Sequence, residues 1–201
     1  MAFTDFKSPD EVQTAYHITY RQERFLQVIP QMPSAQFLAD FEFNTTYFDV
    51  FSSEASRCEN VIYPLLRDAC RQVVSQYSLW SHKSMTVDET LTGTPDYIIA
   101  TRSELGNNVL GCPMVLVVEA KQNDFTKGWG QCLAELVAAQ KLNASPARPV
   151  YGVVTDGEVW QFGRLHGAQF TRDTTRATID AIDQVFGAVC AIIHLSTVPS
   201  A

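Results

Sequence analysis

The stretch MVLVVEAK, residues 114–121, constrains this chain more than any other. A short unbroken apolar run suits a strand buried on both faces of a sheet. Side chains alternate across a strand. Val115, Val117, Glu119 and Lys121 are therefore expected on one face, and Leu116, Val118 and Ala120 on the other. A carboxylate and an ammonium then emerge together where a buried strand ends, although burying charge is costly.

A second strand is expected over PDYIIATRSE, residues 95–104, with LGNNVLGCP as the turn between the two. Antiparallel pairing would bring the start of one strand beside the end of the other, so that Asp96 approaches Glu119. Asp96, Glu119 and Lys121 would meet at one rim of the sheet. Two close carboxylates repel unless a cation or a proton sits between them. Mg²⁺ suits such a site, because it takes oxygen ligands and uses one or two carboxylates alongside waters and substrate phosphate; Mn²⁺ is the substitute. Lys121 would polarise an attacking water or stabilise charge on phosphate. The chemistry that needs this set is phosphodiester hydrolysis. Singly, each residue has a plainer reading. Asp96 would be a turn residue after Pro95, and Glu119 with Lys121 a solvent-facing pair.

Elsewhere the pattern predicts an α/β protein with a mixed central sheet flanked by helices, in the order α–β–β–α–β–β–α. SPDEVQTAY opens a helix, with Ser8 as N-cap, Pro9 at the first position and Glu11 three residues on. FLADFEFNTTYFDVF reads as helix or strand. A long helix is expected from Ser53 to about Tyr77, with Pro64 kinking or dividing it. SLWSHKSMTVDETL looks extended, running into a loop. A further helix covers Gly128 to Leu142. VYGVVT and EVWQFGRL form two strands joined by a tight Asp156-Gly157 turn. TIDAIDQVFGAVCAIIHL is a C-terminal helix burying Ile179, Ile182, Val185, Phe186, Val189, Ile192 and Ile193. Residues 1–52 are expected as an elaboration packed on a domain of residues 53–201. Trp129 and Trp160 are expected in the core.

The net charge of −7 argues against a protein that coats nucleic acid non-specifically, and fits a cation site. Cysteines 58, 70, 112, 132 and 190 and histidines 17, 82, 166 and 194 have no zinc-site spacing. The thiols are expected buried or half-buried in a reducing compartment. With no secretory signal in MAFTDFKSPDE and a central apolar run too short for a bilayer, the expectation is a cytoplasmic protein with no membrane partner.

Pro95-Asp96 followed by Glu119-x-Lys121 resembles the PD-(D/E)XK nuclease superfamily. SSEASRCENVIYPLL resembles the first-helix motif of its branch found in the N-terminal nuclease domains of type I restriction subunits. GTPDY, EAK and GWGQCLAELVAAQKLN together resemble a largely cyanobacterial group of proteins. The resemblance covers roughly residues 53–163. It implies a restriction-endonuclease-like αβββαβ core and Mg²⁺-dependent cleavage of DNA. It further implies metal ligation by Asp96, Glu119 and the Ala120 carbonyl, a water-polarising role for Lys121, Glu54 as the first-helix acid that completes the metal site or accepts a proton, with Glu59 as its substitute, and Gln131 as the orienting helix glutamine. A homodimer would suit cutting of both strands. The rival expectation is an inactive nuclease-like module that binds protein or nucleic acid. A metal-free small-molecule hydrolase ranks last, for want of a Ser-His-Asp or Cys-His set.

Overall fold

A computed structural model describes residues 2–121 and 123–197. Strands β1 (Thr19–Glu23), β2 (Tyr77–Ser81), β5 (Tyr97–Thr101), β6 (Met114–Ala120), β7 (Val150–Thr155), β8 (Val159–His166) and β9 (Gln169–Thr178) form one sheet, in the order β1-β9-β8-β7-β6-β5-β2. β3 (Met85–Thr86) and β4 (Thr92–Gly93) make a separate small hairpin. The sheet is mixed: β6 runs parallel to β7, and β1 parallel to β9, while the other neighbours are antiparallel. Helices cover both faces, as an α/β class requires.

One face carries α2 (Ala35–Tyr47), α4 (Tyr63–Cys70) and α6 (Ile182–Thr197). Leu65, Leu66, Val185, Val189 and Ile192 pack there on Val118, Val153 and Phe162. The other carries α1 (Pro9–Tyr16) and α5 (Phe125–Leu142), where Trp129, Leu133 and Leu136 pack on Ile98, Val117 and Val154. Trp129 and Trp160 are both fully buried, as expected. By length and composition alone, residues 179–197 are apolar enough to cross a bilayer. Their apolar face nevertheless lies in the core, since Val185, Phe186, Val189, Ile192 and Ile193 are buried against the sheet.

Several local expectations are corrected. The helix from Ser53 ends at Cys70 rather than Tyr77. It consists of α3 (Glu54–Arg57), one π turn (Cys58–Ile62) and α4. The wider π turn leads directly into Pro64 at the start of α4, so the proline joins without a break in the rod. Tyr77 belongs to β2, and the amides of Gln76 and Tyr77 turn back to the Val73 carbonyl. The region 37–51 is mostly helix, α2, with the Ser34 hydroxyl accepting from the Phe37 amide at its start. Glu11 accepts from the Lys7 amide at 2.7 Å instead of closing a box on Ser8. Three residues, not two, join β7 to β8. Gly157 takes φ +86°, and Asp156 Oδ1 accepts from the amides of Glu158 and Val159 at 3.0 and 2.7 Å. Cys112 is exposed rather than buried.

Strict alternation also fails at Val115. A bulge lets Ala100 pair with Met114 while Ile99 pairs with Leu116. Val115 is the extra residue, and it packs with Leu116 and Val118 on the α4/α6 face. Beyond the bulge, Val117 turns to the α5 face as expected.

Candidate active site

Three strands bring the site together. In the β2–β5 pair Ser81 faces Tyr97, so the next step of the ladder sets His82 opposite Asp96. The His82 amide donates to the Asp96 carbonyl at 2.9 Å. In the β5–β6 pair Tyr97 faces Val118, and the next step sets Asp96 opposite Glu119. His82, Asp96 and Glu119 thus form one row across the C-terminal end of β6. The Ala120 amide donates to Asp96 Oδ2 at 2.8 Å. The carbonyl of a strand residue points to the same side as its amide. That of Ala120 therefore faces the Asp96 side, while the Lys121 amide turns to the Thr155 carbonyl of β7.

Lys121 Nζ lies 2.7 Å from Glu119 Oε1 and 3.8 Å from Glu54 Oε1. Its stem runs over the first turn of α5, which Asp124 caps by accepting from the Lys127 amide at 3.0 Å. Gly128 makes room there: a Cβ at this position would sit 3.2 Å from Lys121 Cγ and 2.7 Å from Val154. Glu54 begins α3, and Arg57 fixes that helix to the β7–β8 loop. Its guanidinium donates to the Asp156 carbonyl at 2.7 Å, to Glu158 at 2.8 Å and to the Phe51 carbonyl at 3.1 Å.

Burial dominates the electrostatics. It raises Asp96 above the usual carboxylate range, against the pull of the Ala120 amide and Lys121. Burial, then the Asp96 charge, pushes Glu119 up to about 7, with Lys121 opposing. Glu135, fully buried on α5, is pushed well above the ordinary value by burial and then by Glu119, whose carboxyl it meets. Burial alone would lower Lys121, but Glu119, Glu54 and Asp96 outweigh it and hold the ammonium charged. Glu119 Oε2 and both carboxyl oxygens of Glu135 are buried without a partner. Two carboxylates side by side are both acceptors, so one proton shared between them supplies the missing donor.

The predicted residues therefore divide. Asp96, Glu119, Lys121 and Glu54 converge, with Ala120 between the first two. Of the two first-helix acids, Glu54 is the one that reaches Lys121. Glu59 is exposed on the wall of a cleft of about 460 Å³ that Glu54, His82 and Asp96 also line. Gln131 is buried one turn before Glu135, with its Oε1 unpartnered. The structure contains no hydrogen bond between it and Lys121 among the described residues.

Among those residues no group of three or more His, Cys, Asp or Glu side chains is arranged to hold a metal ion. Asp96 and Glu119 offer two carboxylates in adjacent register beside a backbone carbonyl. That hard-oxygen set fits Mg²⁺, which keeps several waters of its own.

Two residues of the site had no role assigned from the sequence, although Glu135 stands out there one turn after Gln131. His82 Nδ1 lies 3.7 Å from Asp96 Oδ1. Only the strand register puts it there, and no spacing in the sequence reveals it. Glu135 had a signal, being four residues after Gln131 and so on the same helical face. No protein-family model and no curated protein matches this chain.

Proposed function

We propose that this protein is a Mg²⁺-dependent phosphodiester hydrolase of the PD-(D/E)XK type, acting on DNA in the cytoplasm, with Mn²⁺ as an alternative ion. The observation that carries the reading is the convergence of Asp96, Glu119 and Lys121 at the end of β6, with Asp96 lining an open cleft. The element order gives further support: a helix, three antiparallel strands (β2, β5, β6), the crossing helix α5, and β7 parallel to β6.

Asp96, Glu119 and the Ala120 carbonyl would hold the ion, which supplies charge neutralisation at the scissile phosphate and a more acidic water. Lys121, held charged by three carboxylates, orients the attacking water and offsets the developing negative charge. Glu54 steadies the ammonium from the outer side and would complete the metal site or accept a proton. Gln131 and Glu135 line the buried side, where Gln131 would orient the water or Lys121. A second copy of the chain would serve cutting of both strands.

Cleavage of a labelled DNA in Mg²⁺ tests this. Asp96→Ala and Lys121→Ala should each abolish it while the circular dichroism spectrum stays native. Undiminished cleavage by either variant refutes the assignment. Calorimetric titration with Mg²⁺ or Mn²⁺ separates the enzyme from an inactive binding module, which would show no binding dependent on Asp96.

A further inference from the structure

A second cleft, of about 360 Å³, adjoins the one that holds Asp96, and Tyr63 lines both. Its walls come from α4, the edge strand β2 and the segment after β5. Arg67, Arg71 and Arg102 line it, and no Asp or Glu does. The chain as a whole has 22 acids against 15 Lys and Arg, so this is a local reversal of its charge.

The guanidinium of Arg102 is held by neutral acceptors. Its Nε donates to the Val74 carbonyl at 2.7 Å and its Nη1 to Asn107 at 2.9 Å. It is oriented in advance without being neutralised. Arg71 lies 3.3 Å from Asp68, but its side chain is 60% exposed. That carboxylate is already committed to the amide and hydroxyl of Ser34, both at 2.8 Å. Tyr63 and Trp80 both line the cleft, Tyr63 from α4 and Trp80 at the β2 edge, where its ring also packs against the core on the α5 side. Tyr63 is stacked on Tyr97 at 5.8 Å. Trp80 is fixed by its indole N–H on Ser78 at 2.8 Å, with Lys83 Nζ 5.1 Å from its ring.

We propose that this cleft binds the unpaired strand flanking the phosphodiester that enters the Asp96 site, a proposal that rests on the phosphodiesterase reading of that site. The arginines take backbone phosphates, and Tyr63 and Trp80 take base faces. Bases within a duplex are stacked on one another and have no face to offer, so the aromatic pair selects single-stranded nucleic acid. Tyr63, shared by the two clefts, marks where the strand passes from one to the other.

Binding is measured in EDTA, where cleavage does not interfere, with a fluorescein-labelled oligothymidylate. Wild type should bind it more tightly than a duplex of equal length and more tightly than a glutamate-rich peptide. Arg67→Gln with Arg71→Gln should weaken binding about tenfold or more, and should lower the salt slope by about 0.7 for each phosphate no longer neutralised. Arg24→Gln, on the loop after the opposite edge strand β1, should change neither. Binding should quench tryptophan fluorescence in wild type but not in Trp80→Phe, because Trp129 and Trp160 are fully buried. Equal affinity for duplex or for the peptide overturns the proposal, as does an equal loss in Arg24→Gln. Strand binding without Asp96-dependent cleavage sinks the catalytic reading and leaves the cleft assigned. Asp96-dependent cleavage with no strand binding sinks the cleft alone.

Discussion

Glu119 and Glu135 carry the most consequential single-residue chemistry in the molecule. Both are carboxyls that the fold holds above their ordinary range by burial, Glu119 at about 7. The folded protein therefore keeps protons that the unfolded chain releases above about 4.5. The stability this contributes is complete below the unfolded value and is lost as pH rises through the folded one. We predict that the melting temperature falls between pH 5 and pH 8, with a stability loss on the order of a few kcal/mol. Glu135→Gln keeps a donor beside Glu119 without a second charge, and should flatten that slope in differential scanning calorimetry. Added Mg²⁺ should raise the melting temperature more at pH 8 than at pH 6, because protons compete for the same oxygens. Legibility at this scale was uneven. Asp96, Glu119 and Lys121 could be read because each interrupts or ends an apolar run. His82 could not, because its neighbour is chosen by a hydrogen-bond register that no local pattern encodes.

Among the elements, α5 governs the site through two glycines. Gly128 faces side chains, and Gly130 faces backbone. A Cβ on Gly130 would sit 2.6 Å from the Ser8 amide nitrogen at the start of α1. Gly128→Ala should displace the Lys121 stem and cut the cleavage rate, with some loss of stability from crowding the buried, β-branched Val154. Gly130→Ala should lower stability by about 1–3 kcal/mol in urea denaturation, because backbone cannot rotate away. The helices and central strands were readable from period and apolar content. The bulge at Val115 was not, since an extra residue is defined only against a partner strand. β9 escaped as well, because QFTRDTTRAT is mostly polar and gives no apolar alternation. It is nevertheless the longest strand, stabilised by β8 on one side and by α6 beneath it.

At the level of the whole molecule, the first fifty residues contribute side chains to both cores. Phe3, Phe6, Val12 and Ile18 lie in the core beneath α5, while Leu26 and Phe37 lie in the core beneath α4 and α6. Asp173 accepts from the amides of Phe25 and Leu26 at 2.7 Å each. We predict that a chain shortened to residues 53–201 exposes both cores and fails to fold, as a loss of the cooperative thermal transition would record. The mixed sheet was foreseeable from the alternation of helical and strand patterns. Its seven-strand extent was not, because β1 is exposed along its whole length and carries no apolar signature.

The pairing of β1 with β9 also sets a timetable for biosynthesis. Thr19 meets Gln169 and Glu23 meets Asp173, so the second element to leave the ribosome waits for nearly the last before it has a neighbour. At ordinary elongation speeds that interval is on the order of ten seconds. Throughout it the nascent N-terminal arm carries Phe25 and Leu26 without their final seat. Chaperone occupancy on stalled nascent chains should accordingly be highest over that arm and vanish once Asp173 has emerged.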